Sequence, residues 1–419
     1  MESSPFPLTP SDAGLFSESP FCAASPNRVA VLGASGSIGT AALEVIAASG
    51  GRLKAVLLSV RRDTVRLVEA ARRFCPETVI VTDPHADRAP LANLPAGTEV
   101  LFGSDALDEA PWRENIDTVL GAIVGSAGLR SALAAVQSGK TLALANKESL
   151  VMAGPILTEA ARKNHARIIP VDSEHSAIYQ ALAAHTPGEA GACLGGAVPP
   201  CAVRRLILTA SGGPFRNKTA EELEQVTVAQ TLCHPTWKMG KKITVDSATM
   251  MNKAFEMIEA CHLFGVPAEK IAVMIHPQSL IHSMVEFIDG AVIAQLSPPD
   301  MKLPIQLALY GGDRVAGPAA RFDWTQPMAM ELLPPDEERF PALALGREVA
   351  QKGGTAGTVI NAANEVAVEA FLAGKIPFTK IVAACRAMLE YHPFEEHPAL
   401  ERLFALDART REETLKWIS

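Results

Sequence analysis

The 419-residue sequence contains no apolar run approaching the ~20 residues that cross a bilayer, so no membrane partner is expected. It has no excess of positive charge. Against 38 Lys and Arg stand 46 Asp and Glu, a formal net charge of −8, so no electrostatic footprint for nucleic acid or anionic lipid is present. An anionic substrate must therefore be drawn in by a local site, against the overall field. The seven cysteines include no C-x-x-C pair, and idle thiols in a reducing cytoplasm are expected. Residues 1–27 are rich in Ser and Pro and contain no Lys or Arg. Signal and transit peptides need basic residues, so a disordered tail is expected there.

What is present is an ordinary globular composition, 48% hydrophobic and 20% charged, in a chain long enough for two or three domains. From Arg28 short apolar strands alternate with helical stretches: Arg28–Leu32, Leu53–Leu58, Thr78–Val81, Glu99–Phe102, Thr118–Ile123, Thr141–Ala145 and Arg167–Val171. That alternation predicts an α/β fold with a Rossmann-like, doubly wound parallel sheet over 28–172. A central α/β catalytic domain is expected over 173–310, with strands near Arg205–Leu208, Ile271–Ile275 and Ala291–Leu296. The Gly-, Ala- and Pro-rich 186–200 stretch reads as a surface insertion, and 311–335 as a linker. Helical periodicity at Val359–Leu372, Lys380–Tyr391 and Arg409–Trp417 predicts a C-terminal helical bundle over 336–419.

Between the first strand and first helix lies Gly33-Ala34-Ser35-Gly36-Ser37-Ile38-Gly39. The first glycine permits a tight turn, the middle one lets a pyrophosphate approach the backbone, and the last allows close helix–strand packing. The helix N-terminus adds free N–H groups and partial positive charge, so the loop predicts a dinucleotide site. At the tip of the second strand stand Arg61-Arg62-Asp63, and guanidinium groups there favour NADP over NAD.

Asp172 and Glu174 follow the apolar run Ile168–Val171 at the carboxyl end of a predicted strand. In extended chain, residues two apart share a face. Two converging carboxylates call for a cation, and oxygen ligands suit Mg²⁺ or Mn²⁺. Asp246-Ser247-Ala248-Thr249 offers capping chemistry before a helix expected over about Met250–Phe264. On that helix Asn252, Glu256 and Glu259 recur at four- and three-residue steps beside Lys253, and Met251, Phe255, Ile258 and Cys261 form the apolar side. Periodicity alone leaves open a surface helix or a phosphate cradle with an acid one turn further in.

Taken together these stretches resemble one family, 1-deoxy-D-xylulose 5-phosphate reductoisomerase of the non-mevalonate isoprenoid pathway. The resemblance runs through the glycine loop, Ala145–Leu150, Pro170–His175, Ala210–Phe215, His234–Gly240, Val245–Lys253 and Ile275–Ser279, in order. It implies an NADPH- and divalent-metal-dependent enzyme that rearranges and reduces the ketose phosphate, and it implies a homodimer. It places the metal on Asp172, Glu174 and Glu256. Catalytic roles fall on Lys147, Glu174 and His234. Substrate contacts fall on Lys147, Ser173, Glu174, Ser211, Gly212, His234, Trp237, Ser247, Asn252, Lys253 and Glu256. Cofactor contacts fall on Gly33, Ser35, Gly36, Ser37, Ile38, Gly39, Arg61, Arg62, Asp63, Asn146, Glu148 and Gly240.

The segment from His234 to Gly240, with Pro235 and Gly240 as hinges, reads as a lid. The sequence departs from the family at Ala34, at Arg61-Arg62-Asp63, at Cys233 and at Ala254-Phe255, and none of these is an implied metal ligand. A plain NADP-dependent dehydrogenase or semialdehyde reductase would explain the glycine loop but leave the three acids idle. An NADPH-sensing protein without turnover would leave Lys147 idle as well.

Overall fold

The strands that read as continuous apolar runs are those covered on both faces, as a parallel sheet requires. The computed structural model describes residues 25–183, 202–237 and 239–419. The 186–200 insertion and most of the 1–27 tail lie outside them. Strands β1 (Asn27–Leu32), β2 (Leu53–Val60), β3 (Thr78–Val81), β4 (Glu99–Phe102), β5 (Thr118–Gly121), β6 (Thr141–Leu144) and β7 (Arg167–Pro170) alternate with helices. The helices are α1 (Ser37–Ala47), α2 (Thr64–Phe74), α3 (Ser104–Glu109), α4 (Leu129–Gln137) and α5 (Lys147–Lys163). All seven strands are parallel, in the order β4-β3-β2-β1-β5-β6-β7. Winding runs outward from β1 to β4, then restarts at β5 on the other side of β1. The carboxyl ends of β1 and β5 therefore flank the topological switch point, where open α/β sheets bind ligands.

The glycine loop leaves β1 at that point. Gly33 has φ +93°, and a Cβ on it would lie 2.7 Å from the carbonyl oxygen of Ala122. A Cβ on Gly39 would lie 2.3 Å from the Gly33 oxygen. The turn closes only because both positions lack side chains.

The chain then runs through α6 (Ser173–Ala183), β8 (Val203–Ala210), α7 (Ala220–Leu223), α8 (Val228–Thr231), α9 (Lys241–Thr249), α10 (Met251–Phe264), β9 (Ile271–Ile275), β10 (Ile281–Phe287), β11 (Val292–Leu296) and α11 (Lys302–Leu309). Four of these strands form a second sheet, ordered β11-β10-β8-β9, with β8 parallel to β9 and antiparallel to β10. Helices α12 (Ala342–Lys352), α13 (Ala356–Leu372), α14 (Lys380–Tyr391) and α15 (Leu400–Ile418) make the C-terminal bundle. Helix α10 packs between α5 and α12.

The structure departs from the sequence expectations at four points. Asp172 and Glu174 are not in extended chain, because β7 ends at Pro170 and α6 begins at Ser173. Asp246–Thr249 is no cap but the last turn of α9, which Met250, at φ +65°, separates from α10. Strand β10 went unread because Ile281-His282-Ser283-Met284-Val285-Glu286-Phe287 has no two-residue alternation. The strand is buried along nearly all its length, His282 and Ser283 included, so neither face needs to be polar. In the bundle α15 begins at Leu400, well before Arg409.

Gly39→Ala should cost about 2 kcal/mol of stability, read by denaturant titration, because the Gly33 carbonyl must move to admit the methyl. Wild-type stability in this variant would show that the turn is not closed as described.

Candidate functional site

The two sheets and α9 and α10 enclose a cleft of about 720 Å³, with the glycine loop and the end of β5 on one side and α10 on the other. Three carboxylates meet in its floor. Asp172, ahead of α6, Glu174, in the first turn of α6, and Glu256, in the middle of α10, each present an oxygen within 4.8 Å of the others. Convergence thus comes from a strand-to-helix corner meeting a buried helix. Burial rules out a surface helix for α10, since Glu256 and Glu259 are 0% and 1% exposed.

Like charges at that spacing must be compensated, and two lysines do so. Lys147, the first residue of α5, reaches Asp172 at 2.6 Å, Glu256 at 3.2 Å and the Asn252 side-chain oxygen at 2.6 Å. Lys253 reaches Glu174 at 2.7 Å and also contacts Glu256. Asn252 donates to Glu256 at 2.6 Å, and Ser173 to Glu174 at 2.5 Å. Burial works against charge on Lys147, but Asp172 and Glu256 outweigh it and hold its pKa well above the ordinary value. Burial likewise opposes ionisation of Asp172, and Lys147 beside it wins, holding the carboxyl well below the usual range. Glu256 is pushed up, first by burial and then by Glu174.

Behind this floor lies a second set that the sequence reading did not single out. His175 approaches Glu259 at 3.2 Å and Asp172 at 3.4 Å through Nδ1, while Nε2 lies 3.0 Å from the Glu256 carbonyl oxygen. Both ring nitrogens face acceptors, which suits an imidazolium. Burial would push this ring down; Glu259 and Asp172 raise it to about 9. Burial pushes Glu259 up to about 7. His175 is in the quoted motif and Glu259 on the read helix face, but only the fold shows that they meet.

On another wall of the cleft, His234 gathers two hydroxyl groups. Its Nε2 lies 3.0 Å from the Ser211 hydroxyl and 3.1 Å from that of Ser247. Its Nδ1 accepts the backbone N–H of Trp237 at 2.9 Å and of Thr236 at 3.2 Å. Nδ1 is therefore the bare nitrogen and Nε2 carries the proton. Gly212 and Gly213 take φ +78° and +66°, letting the Ser211 loop fold against α9. The Trp237 ring stands edge-on to His282 at 6.0 Å between centroids.

On the dinucleotide side, Ser37, Ile38, Asn146, Glu148 and Gly240 line the cleft. Asn146 caps α5 and donates to the carbonyls of Ile123 and Gly125 at 2.5 and 2.9 Å. Glu148 is ion-paired at 2.6 Å with Lys242, which also pairs with Asp246 at 3.0 Å. Gly33, Ser35, Gly36 and Gly39 complete the turn that carries Ser37 and Ile38 to this wall, with Gly36 exposed and Gly39 buried. Arg61 and Arg62 project from the tip of β2, 81% and 61% exposed, and both lean on Asp83, at 3.5 and 2.5 Å. Asp63 caps α2, accepting the Arg66 N–H at 3.1 Å. The Arg66 guanidinium reaches the Ser35 carbonyl at 3.3 Å, adding a third cation that the sequence reading missed.

A doubly wound sheet with its glycine turn at the switch point, facing a floor of carboxylates and lysines, defines a dinucleotide-binding oxidoreductase. Three family models match in succession: 1-deoxy-D-xylulose 5-phosphate reductoisomerase over residues 29–154, its C-terminal domain over 168–264, and the DXP reductoisomerase C-terminal domain over 296–413. The chain is 49% identical to the 1-deoxy-D-xylulose 5-phosphate reductoisomerase of Rhodopirellula baltica, covering 92% of this chain and 94% of the relative. It is 45% identical to that of Nitrosomonas eutropha, over 93% and 94% respectively. Among solved structures it resembles the Zymomonas mobilis reductoisomerase in complex with NADPH, at TM-score 0.84 and 41% identity, covering 94% of this chain and 100% of that one. It also resembles a DOX-P reductoisomerase in complex with NADPH, fosmidomycin and magnesium, at TM-score 0.86 and 38% identity, over 94% and 98%. The chain belongs to the 1-deoxy-D-xylulose 5-phosphate reductoisomerase family.

The His234 geometry sets a pH dependence. Burial lowers its pKa from the ordinary 6.5, so the neutral ring is favoured in the fold. That stabilisation is present above pH 6.5 and is lost as pH falls through the lower folded value. In the free protein, the part of the emission change on acidification that is absent from Trp237→Phe should have its midpoint below 6.5. It should vanish in His234→Gln. Persistence of the same transition in His234→Gln would assign it to His282, whose pKa burial also lowers.

Proposed function

We propose that this chain catalyses the NADPH- and divalent-metal-dependent conversion of 1-deoxy-D-xylulose 5-phosphate to 2-C-methyl-D-erythritol 4-phosphate, with the cleft residues in the roles that follow. The observation that carries the reading is the set of three carboxylates, spanned by Lys147 and Lys253, in the floor of a dinucleotide cleft. An all-oxygen donor set of this kind fits Mg²⁺ or Mn²⁺, with Asp172, Glu174 and Glu256 as its ligands. Relatives solved with magnesium and with NADPH support both assignments.

When bound, the metal supplies Lewis-acid charge to vicinal oxygens of the ketose phosphate, and NADPH supplies the hydride. The protein's own residues do the rest. Lys147, held protonated in a water-poor floor, stabilises negative charge that develops on the reacting oxygens. Asn252 fixes the direction of the Lys147 ammonium by accepting from it at 2.6 Å. Ser173 and Glu174 face the same oxygens from the α6 turn. Ser211, Ser247, Asn252, Lys253 and the backbone of Gly212 and Gly213 form a cradle for phosphate, and His234 spans it from the lid side. Trp237 closes over the substrate and excludes water. The glycine loop and the N-terminus of α1 receive the pyrophosphate, Asn146, Glu148 and Gly240 border the nicotinamide end, and Arg61 and Arg62 take the 2′-phosphate.

The finer assignments also belong to this reading. The free thiols of Cys75, Cys233, Cys261 and Cys385 suit a cytoplasmic enzyme. The outer edge of β11, with Val292 half exposed, suits a homodimer.

The test is NADPH oxidation with 1-deoxy-D-xylulose 5-phosphate, with and without Mg²⁺ or Mn²⁺. Turnover should require the ion and be abolished in Glu174→Gln with folding intact. Equal turnover in excess chelator would defeat the proposal, and a dehydrogenase that needs no metal would take its place.

A further inference from the structure

We infer that Glu365, on α13 of the C-terminal bundle, is a positioning residue for the dinucleotide: it holds the loop after β5 that forms one wall of the cofactor cleft. The inference rests on the reading of that cleft given above.

Ala122, Ile123 and Val124 line the cleft beside the glycine loop. The chain then turns at Gly125, whose φ of +77° favours glycine, and runs against α13. A Cβ on Gly125 would sit 2.8 Å from Glu365 Oε1, so the carboxylate lies directly on the loop backbone. Oε1 accepts the Ser126 N–H at 3.3 Å, and Oε2 is ion-paired with Arg411 of α15 at 2.7 Å. Arg411 also donates to the Ser126 hydroxyl at 3.2 Å. From the other side, Asn146 holds the same loop by its Ile123 and Gly125 carbonyls. The loop is thus pinned between Asn146, next in chain to Lys147, and a carboxylate from the far end of the chain.

The packing of α13 does not require this arrangement. Its apolar residues already bury against α14, α15 and α5, and an apolar side chain at 365 would seat the helix equally well. What an acceptor at this position supplies is a partner for the Ser126 N–H, and its charge pairs with Arg411, which Asp407 also holds from within α15 at 2.8 Å. A loop released here moves the cleft wall, while the carboxylate floor, built on α5, α6 and α10, stays in place. Cofactor affinity and metal affinity therefore respond differently.

The experiment is NADPH titration by ligand fluorescence, with Mn²⁺ binding and thermal melting measured in parallel. Glu365→Ala should weaken NADPH by roughly tenfold, the loss of one hydrogen bond to a charged acceptor. Its Mn²⁺ affinity should remain that of the wild type. Glu365→Gln keeps an acceptor oxygen for Ser126 and should recover most of the affinity, whereas Arg411→Met should fall between the two. Wild-type NADPH affinity in Glu365→Ala, or parallel loss of NADPH and Mn²⁺ binding, would overturn the inference. Should Glu365→Ala not fold, unchanged NADPH affinity in Arg411→Met would overturn it equally. A wild-type protein that does not bind NADPH would sink the cleft reading itself, whereas wild-type binding with unaltered Glu365→Ala sinks only the role of Glu365.

Discussion

The structure depends on compensation of charge where water is scarce. Asp172, Glu174 and Glu256 have oxygens within 4.8 Å of one another, and Lys147 and Lys253 pair with them there. Leaving one of these charges unpaired typically costs about 3–5 kcal/mol, so a change at any of the five carries a stability cost. The five arise from the start of α5, the corner before α6, the first turn of α6 and one face of α10. Packing of α10 against α5 brings those pieces together. Three carboxylates against two ammonium groups leave one negative charge over, which is the condition a divalent cation answers.

That floor also explains how an acidic chain attracts an anionic substrate. The net charge of −8 opposes approach, but Lys147 and Lys253 face the cleft and the hydroxyls of Ser211 and Ser247 gather at His234. Local dipoles and cations act at short range, where the distant surface charges are screened. On the other wall the sheet does the comparable work for the cofactor. Its winding reverses between β1 and β5, and a turn that only Gly33 and Gly39 can close leaves the N-terminus of α1 pointing into the gap.

Much of this was legible in the sequence because it rests on local rules. The seven parallel strands could be read from apolar runs bounded by turn residues, and the glycine loop from its spacing between a strand and a helix. Asp172 and Glu174 stand out from the chain around them and Glu256 from the family resemblance, but extended backbone is not what brings the first two together. A strand's alternation does not carry past Pro170, and the chain turns into helix at Ser173. Other features were invisible for a physical reason. Strand β10 is buried with polar residues inside, so no periodicity marks it. The Glu259–His175 contact, the Arg66–Ser35 bridge and the Glu365–Ser126 bond join residues 84, 31 and 239 positions apart. Only tertiary packing makes such pairs.

The most direct measurement is Mn²⁺ binding to the free protein, followed by electron paramagnetic resonance. The account predicts one tightly held ion per chain, lost when Asp172→Asn, Glu174→Gln and Glu256→Gln are combined in a variant that still folds. Undiminished Mn²⁺ binding by that folded triple variant would contradict it.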